Sequence, residues 1–499
     1  MNVIDLIDMK QPDKTVFSDE YSDVTYAEFE KYSKTIGTNI ANRFFTTRRP
    51  IVVFVDRSVK SLCAMFGIVF SGNFYVPIDQ DQPADRIVKM LEKIVPLACI
   101  CLSEHSELDP RITDAYPILR YDELVTGEYD DSLLHHIQEG ILDIDPLYAI
   151  CTSGSTGSPK SVLISHRNVI DFIPVFIRTF GLSDREVYAN QAPFDFDVST
   201  KDIYSTLFCG ATMHIIPKIC FSMPKKLIDF LNGRKVTTII WAVSAMCIPS
   251  GFNAFKYDVP HFLKNAFFSG EQMPMKQLNI WRKFLPEVRY VNLYGPTEIT
   301  CNCSYYIVDR MFEDTETLPI GRSFQNEALM VLREDGSPVG EEETGEICVR
   351  GTCLALGYYN DPEKTAQAFR QTPEHHGYPE LIYHTGDLAV MDRNGEYRFV
   401  GRKDFQIKHM GHRIELGEIE TLTAAMEGIG RVCSFFDEDR GKIVLYYDGK
   451  PEKMETIGYL KRKLPKYMIP NIIYKVDELP LNKNGKIDRQ QIRRMYMEK

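Results

Sequence analysis

The stretch from Leu147 to Val162, LYAICTSGSTGSPKSV, constrains the fold more than any other part of the chain. An apolar strand-like run enters a loop of small polar residues, and a second apolar run follows. Gly154 and Gly157 let the backbone turn so that main-chain N–H groups converge on an anion. The hydroxyl and ammonium groups that can join them belong to Thr152, Ser153, Ser155, Thr156 and Lys160. The pattern predicts a phosphate-binding loop between two strands.

This loop differs from a Walker A loop. Ser158 and Pro159 separate its last glycine from Lys160, and a strand-like run follows in place of a helix. On composition alone, a flexible surface turn is the alternative. The choice between the two depends on the rest of the chain.

Length and charge limit the class of protein. A chain of 499 residues is too long for one core, so two or more structural units are expected. The net charge of −11 argues against nucleic-acid binding. The N-terminus lacks a signal-peptide pattern and no apolar run is long enough to cross a bilayer, which predicts a cytoplasmic protein without membrane insertion. The 12 cysteines are scattered and form no CxxC pair, so buried free thiols are expected rather than a metal site.

The order of elements indicates an α/β multidomain protein. Helix and strand patterns alternate over residues 1–146, which predicts parallel sheets covered by helices. Segment 236–247 is predicted to be a strand. From 319 to 400 short strands and frequent turns predict an antiparallel β-subdomain. GRKDFQIK, from residue 401, begins a further small unit with its own helix and strand patterns.

Two motifs in the second half of the chain suit a nucleotide. In NLYGPTE, Tyr294 offers a flat face for adenine and Asn292 can reach the edge of the base. Thr297 can bond the α-phosphate, and Glu298 can hold Mg²⁺ because a hard cation prefers carboxylate oxygens. In YHTGD, the last residue is placed to accept both ribose hydroxyls. That last residue is Asp387, and Arg402, farther along the chain, is a candidate for binding ribose or phosphate.

The segment QAPFDFDVSTKDIY, at 191–204, places acidic residues in an apolar setting. A buried carboxylate requires a cation partner, because burying it unpaired is costly. At least one of Asp195 and Asp197 is therefore expected to be buried beside a cation. For Asp197, a helix N-cap is the alternative role.

Taken together, TSGSTGSPK, NLYGPTE, YHTGD, GRKDFQIKHMGHRIELGEIE and NGKIDR resemble the motifs of the adenylate-forming superfamily, in the order in which that family has them. The resemblance runs from about Val24 almost to the C-terminus. It is greatest to the amino-acid-activating branch, which comprises adenylation domains of nonribosomal peptide synthetases and free-standing D-alanine:carrier-protein ligases. The chain departs from the family at Ser161, where glycine is usual.

The resemblance implies an architecture and a reaction. An adenylation core over 1–402 and a mobile C-terminal α+β domain over 404–499 are expected, with Asp404 as the hinge. Lys486 matches the family's catalytic lysine, Lys160 and Gly295 join the nucleotide site, and ATP with Mg²⁺ is implied. The expected product is an aminoacyl-adenylate, which passes to the phosphopantetheine thiol of a carrier protein. Because the sequence ends shortly after Lys486, that carrier is expected in trans.

The resemblance also implies a substrate pocket, in which Asp197 pairs with the α-ammonium group and Phe196 closes the site. The pocket residues are Phe196, Asp197, Val198, Lys201, Trp241 or Ala242 (a register uncertain by one residue), Phe267, Ser269, Leu293, Cys301 and Asn302. The bulk of Phe267 and Leu293, together with Trp241 if the register places it in the pocket, favours a small amino acid such as serine, alanine or cysteine.

Several alternatives remain open at this stage. Lys201 could instead pair with an acidic substrate side chain or reach solvent. D-Alanine is a further candidate, although Ser269 stands where D-alanine ligases typically have cysteine. A coenzyme A ligase shares the core but needs no pocket carboxylate. A non-enzymatic nucleotide sensor is disfavoured, because it would not need the charged residues that act only in the transition state.

Overall fold

The computed structural model describes residues 1–103, 108–153, 159–393, 396–404, 406–481 and 487–498. Two compact units make up the chain. The first consists of Met1–Gln80, Ile94–Cys151 and Ser161–Lys403. The second consists of Asp81–Lys93, Thr152–Lys160 and Asp404–Lys499, so it joins two early segments to the C-terminal region.

The largest sheet of the first unit has nine strands. Six strands in its middle run parallel and the strands at both edges are antiparallel. The middle strands are buried along nearly their whole length, as expected where helices cover both faces of a sheet. In spatial order the strands are Arg322–Ser323, Ser304–Ile307, Arg289–Tyr294, Asn265–Ser269, Thr238–Ala242, Val187–Asn190, Thr212–Ile215, Thr15–Ser18 and Asp23–Thr25.

A seven-stranded sheet carries the strands on either side of the predicted phosphate loop. In spatial order it contains Gly357–Tyr358, Lys160–Ser165, Pro146–Thr152, Phe74–Asp79, Pro50–Val55, Ala98–Cys101 and Ile118–Arg120. The loop therefore connects two strands that are neighbours in the sheet, as the sequence predicts. The helices of the first unit are Tyr26–Phe44, Val59–Phe70, Pro110–Thr113, Tyr121–Leu124, Asp131–Glu139, His166–Phe180, Val198–Cys209, Lys218–Ser222, Pro224–Gly233, Val243–Gly251, Met275–Phe284 and Pro362–Ala368.

A five-stranded sheet completes the first unit, and all of its pairings are antiparallel. Its strands are Glu327–Leu332, Thr344–Gly351, Leu381–Met391, Phe369–Gln371 and Tyr397–Arg402. The predicted α/β multidomain fold, with parallel sheets and a smaller antiparallel one, is confirmed.

The second unit contains a hairpin, a small sheet and helices. The hairpin pairs Gln406–His409 with His412–Glu415. The three-stranded sheet comprises Ile429–Asp437, Lys442–Gly449 and Ile472–Val476. The helices are Leu416–Ala424, Lys453–Lys463, Arg489–Met497 and, apart from its last residue, Ala84–Ile94. A cluster of buried side chains that includes Ile419, Leu445 and Leu460 forms the core of this unit.

The strand predicted over 236–247 is too long. The strand covers Thr238–Ala242, and the helix Val243–Gly251 begins directly after it. A buried strand and a buried helix are both continuously apolar, so hydrophobic periodicity could not show where one gives way to the other.

All 12 cysteines are free, as predicted, and ten of them are buried. Among the described helices, none combines the length and the hydropathy needed to span a bilayer.

A buried ion pair lies within the second unit. Arg86, on the helix Ala84–Ile94, donates to the carboxylate of Glu418, and the two side chains are 7% and 1% exposed. A second pair, Asp85 with Lys463, has the same charges but is 30% exposed on each side. The two pairs therefore form a natural comparison between a buried and a half-buried interaction.

Arg86→Ala is expected to destabilise the second unit by about 3–5 kcal/mol, because it leaves the carboxylate of Glu418 buried without its cation. Lys463→Ala is expected to cost only about 0–1 kcal/mol, since both side chains of this pair reach water, which screens their attraction. Hydrogen exchange of the helix Leu416–Ala424 measures both changes. Equal loss of protection in the two variants would contradict the difference.

Candidate active site

The two flanks of the predicted phosphate loop are described by the structure. Gly154, Ser155, Thr156 and Gly157 lie outside the described residues. Ser161, the departure from the family motif, is buried, and its Oγ lies 3.3 Å from Sγ of Cys151. Its extra side chain is therefore accommodated by a neighbouring strand of the sheet.

Within the second unit, the flanks of the loop contact the hairpin 406–415. Ser153 donates through Oγ to the carbonyl oxygen of Arg413 at 2.7 Å. Lys160 is buried, and its charge acts on Glu415. Burial raises the pKa of Glu415, and the charges of Arg413 and Lys160 oppose that rise. Thr152, the last residue of the preceding strand, completes the described flank.

A buried carboxylate, that of Asp387, lies where the nine-stranded sheet meets the five-stranded sheet of the same unit. Asp387 is 1% exposed and accepts from Tyr294 Oη at 2.6 Å through one oxygen and from Arg402 through the other. Burial and the charge of Asp387 raise the pKa of Tyr294 well above its ordinary value. Because a carboxylate has about four acceptor sites, Asp387 retains capacity for the ribose hydroxyls that the sequence assigns to it.

Asn292 lies on the strand that leads to Tyr294. Its side-chain amide donates to the carbonyl oxygen of Pro319 at 2.8 Å. This bond fixes the orientation of the amide, and so determines which of its atoms can meet the edge of a base.

The turn after Tyr294 brings Glu298 into the interior. A Cβ atom at Gly295 would lie 2.6 Å from Cα of Asn302, so only glycine fits at this approach. Thr297 and Glu298 follow in a short 3₁₀ helix, and Glu298 is fully buried. Its Oε1 accepts from Tyr358 Oη at 2.8 Å. Sequence reasoning missed Tyr358, whose strand carries no motif that indicates this contact.

The donor set around Glu298 fits Mg²⁺. A buried carboxylate is stabilised by a cation, and its oxygen atoms are the hard ligands that Mg²⁺ prefers. Glu298 would hold the ion, which stays a prediction.

Three of the predicted pocket residues contact one another. Lys201 is fully buried, donates to Oδ1 of Asn302 and lies 3.1 Å from Sγ of Cys301. Burial raises the pKa of Cys301 to about 12, against the effect of Lys201, and the charge of Asp197 adds to the rise. Asp197 therefore lies within electrostatic reach of the same cluster.

Asp197 precedes the helix Val198–Cys209 at the N-cap position, yet its side chain makes no capping hydrogen bond. It is 7% exposed. The alternative role as an N-cap is thus not supported, and the buried charge fits the pocket. Phe196, just before it, is half-buried, whereas Val198 is buried.

Trp241 does not join the other predicted pocket residues. Its indole donates to the carbonyl oxygen of Ala189 at 2.9 Å and packs near Phe221, in the core on one face of the sheet. Phe267 and Leu293 belong to the core on the opposite face. Because side chains alternate along a strand, Ala242 is the residue whose register matches theirs.

Phe267 packs against the helix His166–Phe180, with its ring centroid 4.8 Å from that of Phe180. Ser269 ends the same strand and is buried. These two residues are thus held by the sheet rather than by a loop.

Sequence reasoning also missed Asp202, next to Lys201. Burial raises the pKa of Asp202 to about 8, opposed by a hydrogen bond from Asn190 and by the charge of Lys201. Nearby, Arg57 donates to the carbonyl oxygens of Asn190 and Gln191 at 2.8 and 2.9 Å. The sequence did contain a feature that could have identified Asp202, because it is an acidic residue in the same apolar stretch as Asp197.

The first unit thus contains candidate residues for a nucleotide, around Asp387 and Glu298, and a candidate pocket for a charged substrate, around Lys201. The family model described as AMP-binding enzyme matches residues 8–359. The chain belongs to this family, and the prediction of an ATP-dependent, AMP-forming enzyme is confirmed.

The chain is similar to several curated proteins over nearly its whole length. The D-alanine--D-alanyl carrier protein ligase of Lactiplantibacillus plantarum is 32% identical, over 98% of both chains. Zwittermicin A synthase ZmaJ of Bacillus cereus is 30% identical, over 97% of this chain and 92% of that protein. A solved structure of an NRPS protein containing adenylation and PCP domains superposes with a TM-score of 0.83 at 22% identity, covering 99% of this chain and 84% of the other. That structure supports the fold.

Proposed function

We propose that this protein activates an amino acid with ATP to form an aminoacyl-adenylate and transfers the aminoacyl group to the phosphopantetheine thiol of a separate carrier protein in the cytoplasm. The observation that carries the proposal is the buried carboxylate of Asp197, whose charge acts on Cys301 of the predicted pocket, since a fatty or aryl acid offers no cation to such a group. The names of the relatives, which include carrier protein ligases, point the same way.

The chemistry follows from an account of charge. The substrate carboxylate attacks the α-phosphate of ATP, so both partners are negative and charge accumulates in the transition state. Catalysis then depends on positioning and on fixed donors and cations. Mg²⁺ on Glu298 would supply part of that positive charge, and the proposed contributors from the chain are Thr297, Lys160 and Lys486, of which Lys486 lies outside the described residues.

The proposed substrate is a small amino acid. Phe267 and Leu293 fill the pocket face of the sheet, whereas Trp241 points away and contributes no bulk. The buried Lys201 offers its charge to Asn302 in this structure, and an acidic substrate side chain would have to replace that interaction. An acidic amino acid is therefore an outcome against which the proposal is tested, and D-alanine, which is also small, is distinguished from the L-amino acids by the same experiment.

The decisive experiment is a screen of the common L- and D-amino acids for amino-acid-dependent exchange of pyrophosphate into ATP. A small amino acid is expected to give the highest rate. Strong preference for a large aromatic or an acidic amino acid would contradict the small-substrate proposal.

The acceptor thiol is tested with the best amino acid from that screen. Offered ATP and either coenzyme A or phosphopantetheinylated carrier proteins, the enzyme is expected to form a thioester on a carrier, detected by its mass. Efficient acylation of coenzyme A, with no carrier accepted, would place the protein among the coenzyme A ligases instead.

Asp404 is proposed as the hinge between the two half-reactions. Its carboxylate accepts from the backbone N–H of Gln406 at 3.2 Å. Asp404→Pro fixes φ and should restrict rotation of the backbone at this residue. Adenylation is expected to persist while thioester formation falls severalfold, measured by pyrophosphate exchange and by carrier loading.

Asp439→Pro, at an exposed position within the second unit, serves as a control for general damage by proline. Equal loss of both half-reactions in Asp404→Pro, or loss of neither, would contradict the hinge.

A further inference from the structure

Three side chains with metal-ligating atoms converge on the antiparallel five-stranded sheet of the first unit. Glu346 and Cys348 lie on the strand Thr344–Gly351, and His384 lies directly opposite Cys348 on the strand Leu381–Met391. Nδ1 of His384 is 3.4 Å from Sγ of Cys348 and 3.0 Å from Oε2 of Glu346. The three ligand atoms all lie within 4.8 Å of one another.

We propose that Glu346, Cys348 and His384 form a binding site for Zn²⁺ or a similar divalent transition metal. In a tetrahedral zinc site, bond lengths of about 2.0–2.3 Å place neighbouring ligand atoms about 3.3–3.6 Å apart. The observed separations of 3.4 and 3.0 Å are close to that range, so a small movement of side chains admits the ion. A thiolate, an imidazole and a carboxylate together favour zinc over Mg²⁺.

The backbone holds the site in place. A bulge between Glu346 and Cys348 shifts the register of the two strands, so that residues two positions apart both approach His384. The other carboxylate oxygen of Glu346 accepts from the N–H of Gly386 at 2.9 Å. This second bond orients the carboxylate, as ligands of metal sites commonly require.

The charges suit a dication. The carboxylate of Glu346 already faces donor groups from three sides, namely Nδ1 of His384, the N–H of Gly386 and the ammonium group of Lys403. Cys348 is a buried thiol, and on ligation its Sγ–H bond breaks, the proton passes to solvent and a sulfur–metal bond forms. The side chains of Glu346 and His384 are 13% and 21% exposed, which gives an ion a route to the site.

Lys403 competes with the ion for the same oxygen. Its Nζ lies 3.2 Å from Oε2 of Glu346, and its side chain is 38% exposed, so it can turn to solvent when a metal binds. Removing Lys403 should therefore change the affinity for metal in the opposite direction from removing a ligand. Loss of a ligand should weaken metal binding, whereas loss of this competitor should strengthen it.

The experiment uses the purified full-length protein, treated with a chelator and exchanged into chelator-free buffer. Zn²⁺ is titrated in competition with a chromogenic zinc indicator, and Co²⁺ is added to a second sample for absorption spectroscopy. One Zn²⁺ per chain and a thiolate-to-cobalt charge-transfer band are expected. Cys348→Ser and His384→Gln should each lower the affinity for Zn²⁺ by more than about tenfold, and Lys403→Met should raise it.

Cys63→Ser, which alters a buried thiol in the helix Val59–Phe70, is the matched control and should bind Zn²⁺ as the wild type does. Circular dichroism checks that each variant is folded. If Cys348→Ser fails to fold, His384→Gln carries the test, because its side chain is partly exposed. A wild-type protein that gives no cobalt–thiolate band, or that binds Zn²⁺ no more tightly than His384→Gln, would overturn the proposal.

Discussion

Asp197→Asn is expected to lower kcat/KM for amino-acid adenylation by about a hundredfold to several thousandfold. The substitution keeps the size of the side chain but removes its charge, which leaves the α-ammonium group of the substrate without its partner in a buried site. Breaking a buried ion pair costs about 3–5 kcal/mol, and each 1.36 kcal/mol corresponds to about tenfold in rate. Pyrophosphate exchange at subsaturating amino acid measures the change.

Two comparisons separate this effect from structural damage. Asp195→Asn, two residues upstream and only half-buried, is expected to change kcat/KM much less. The Asp197→Asn variant should also lose its preference for the amino acid over the analogue that lacks the amino group. An undiminished preference would show that Asp197 does not bind the α-ammonium group.

Lys486→Ala is expected to reduce adenylation by at least about a hundredfold, since the lysine would supply an oriented charge to the transition state in a shielded site. Lys486 itself lies outside the described residues, and the residues on either side pair with each other: Leu481 and Ile487 form an antiparallel bridge, and Asp488 donates its N–H to the carbonyl oxygen of Pro480 at 2.8 Å. The measurement is kcat for pyrophosphate exchange with saturating ATP and amino acid.

Lys461→Ala removes an exposed lysine from the helix Lys453–Lys463 of the same unit and serves as the control. It should keep wild-type adenylation. A Lys486→Ala variant that also keeps wild-type adenylation would show that this lysine is not catalytic.

Much of the fold follows from local chemistry that a sequence displays. The helix Tyr26–Phe44 begins at Thr25, which forms a capping box with Glu28, and the alternating motifs around it specify parallel sheets. The candidate nucleotide residues are similarly visible, because Gly295 is required by a close backbone approach and Glu298 follows in the same motif. Short-range patterns suffice for features of this kind.

Other parts of the site depend on which face of an element points inward. Trp241 and Ala242 are adjacent in a fully buried strand, where both faces are apolar and no alternation reveals the register. The contacts of Lys201 with Cys301 and Asn302 join residues a hundred positions apart. Cys348 and His384 are likewise paired only by strand register, so their spacing in the chain resembles no metal motif.

The backbone at Cys301, whose side chain contacts Lys201, also constrains how this enzyme could acquire a new substrate. Thr300 and Cys301 have backbone φ angles of +57° and +81°. Residues other than glycine, asparagine and aspartate rarely adopt this region. A β-branched residue at 301 would add strain to that backbone before it changed any contact with the substrate. Laboratory evolution should therefore find few viable substitutions at 301 beyond glycine, asparagine and aspartate, and should alter specificity more readily through Ser269, which lies on regular strand backbone.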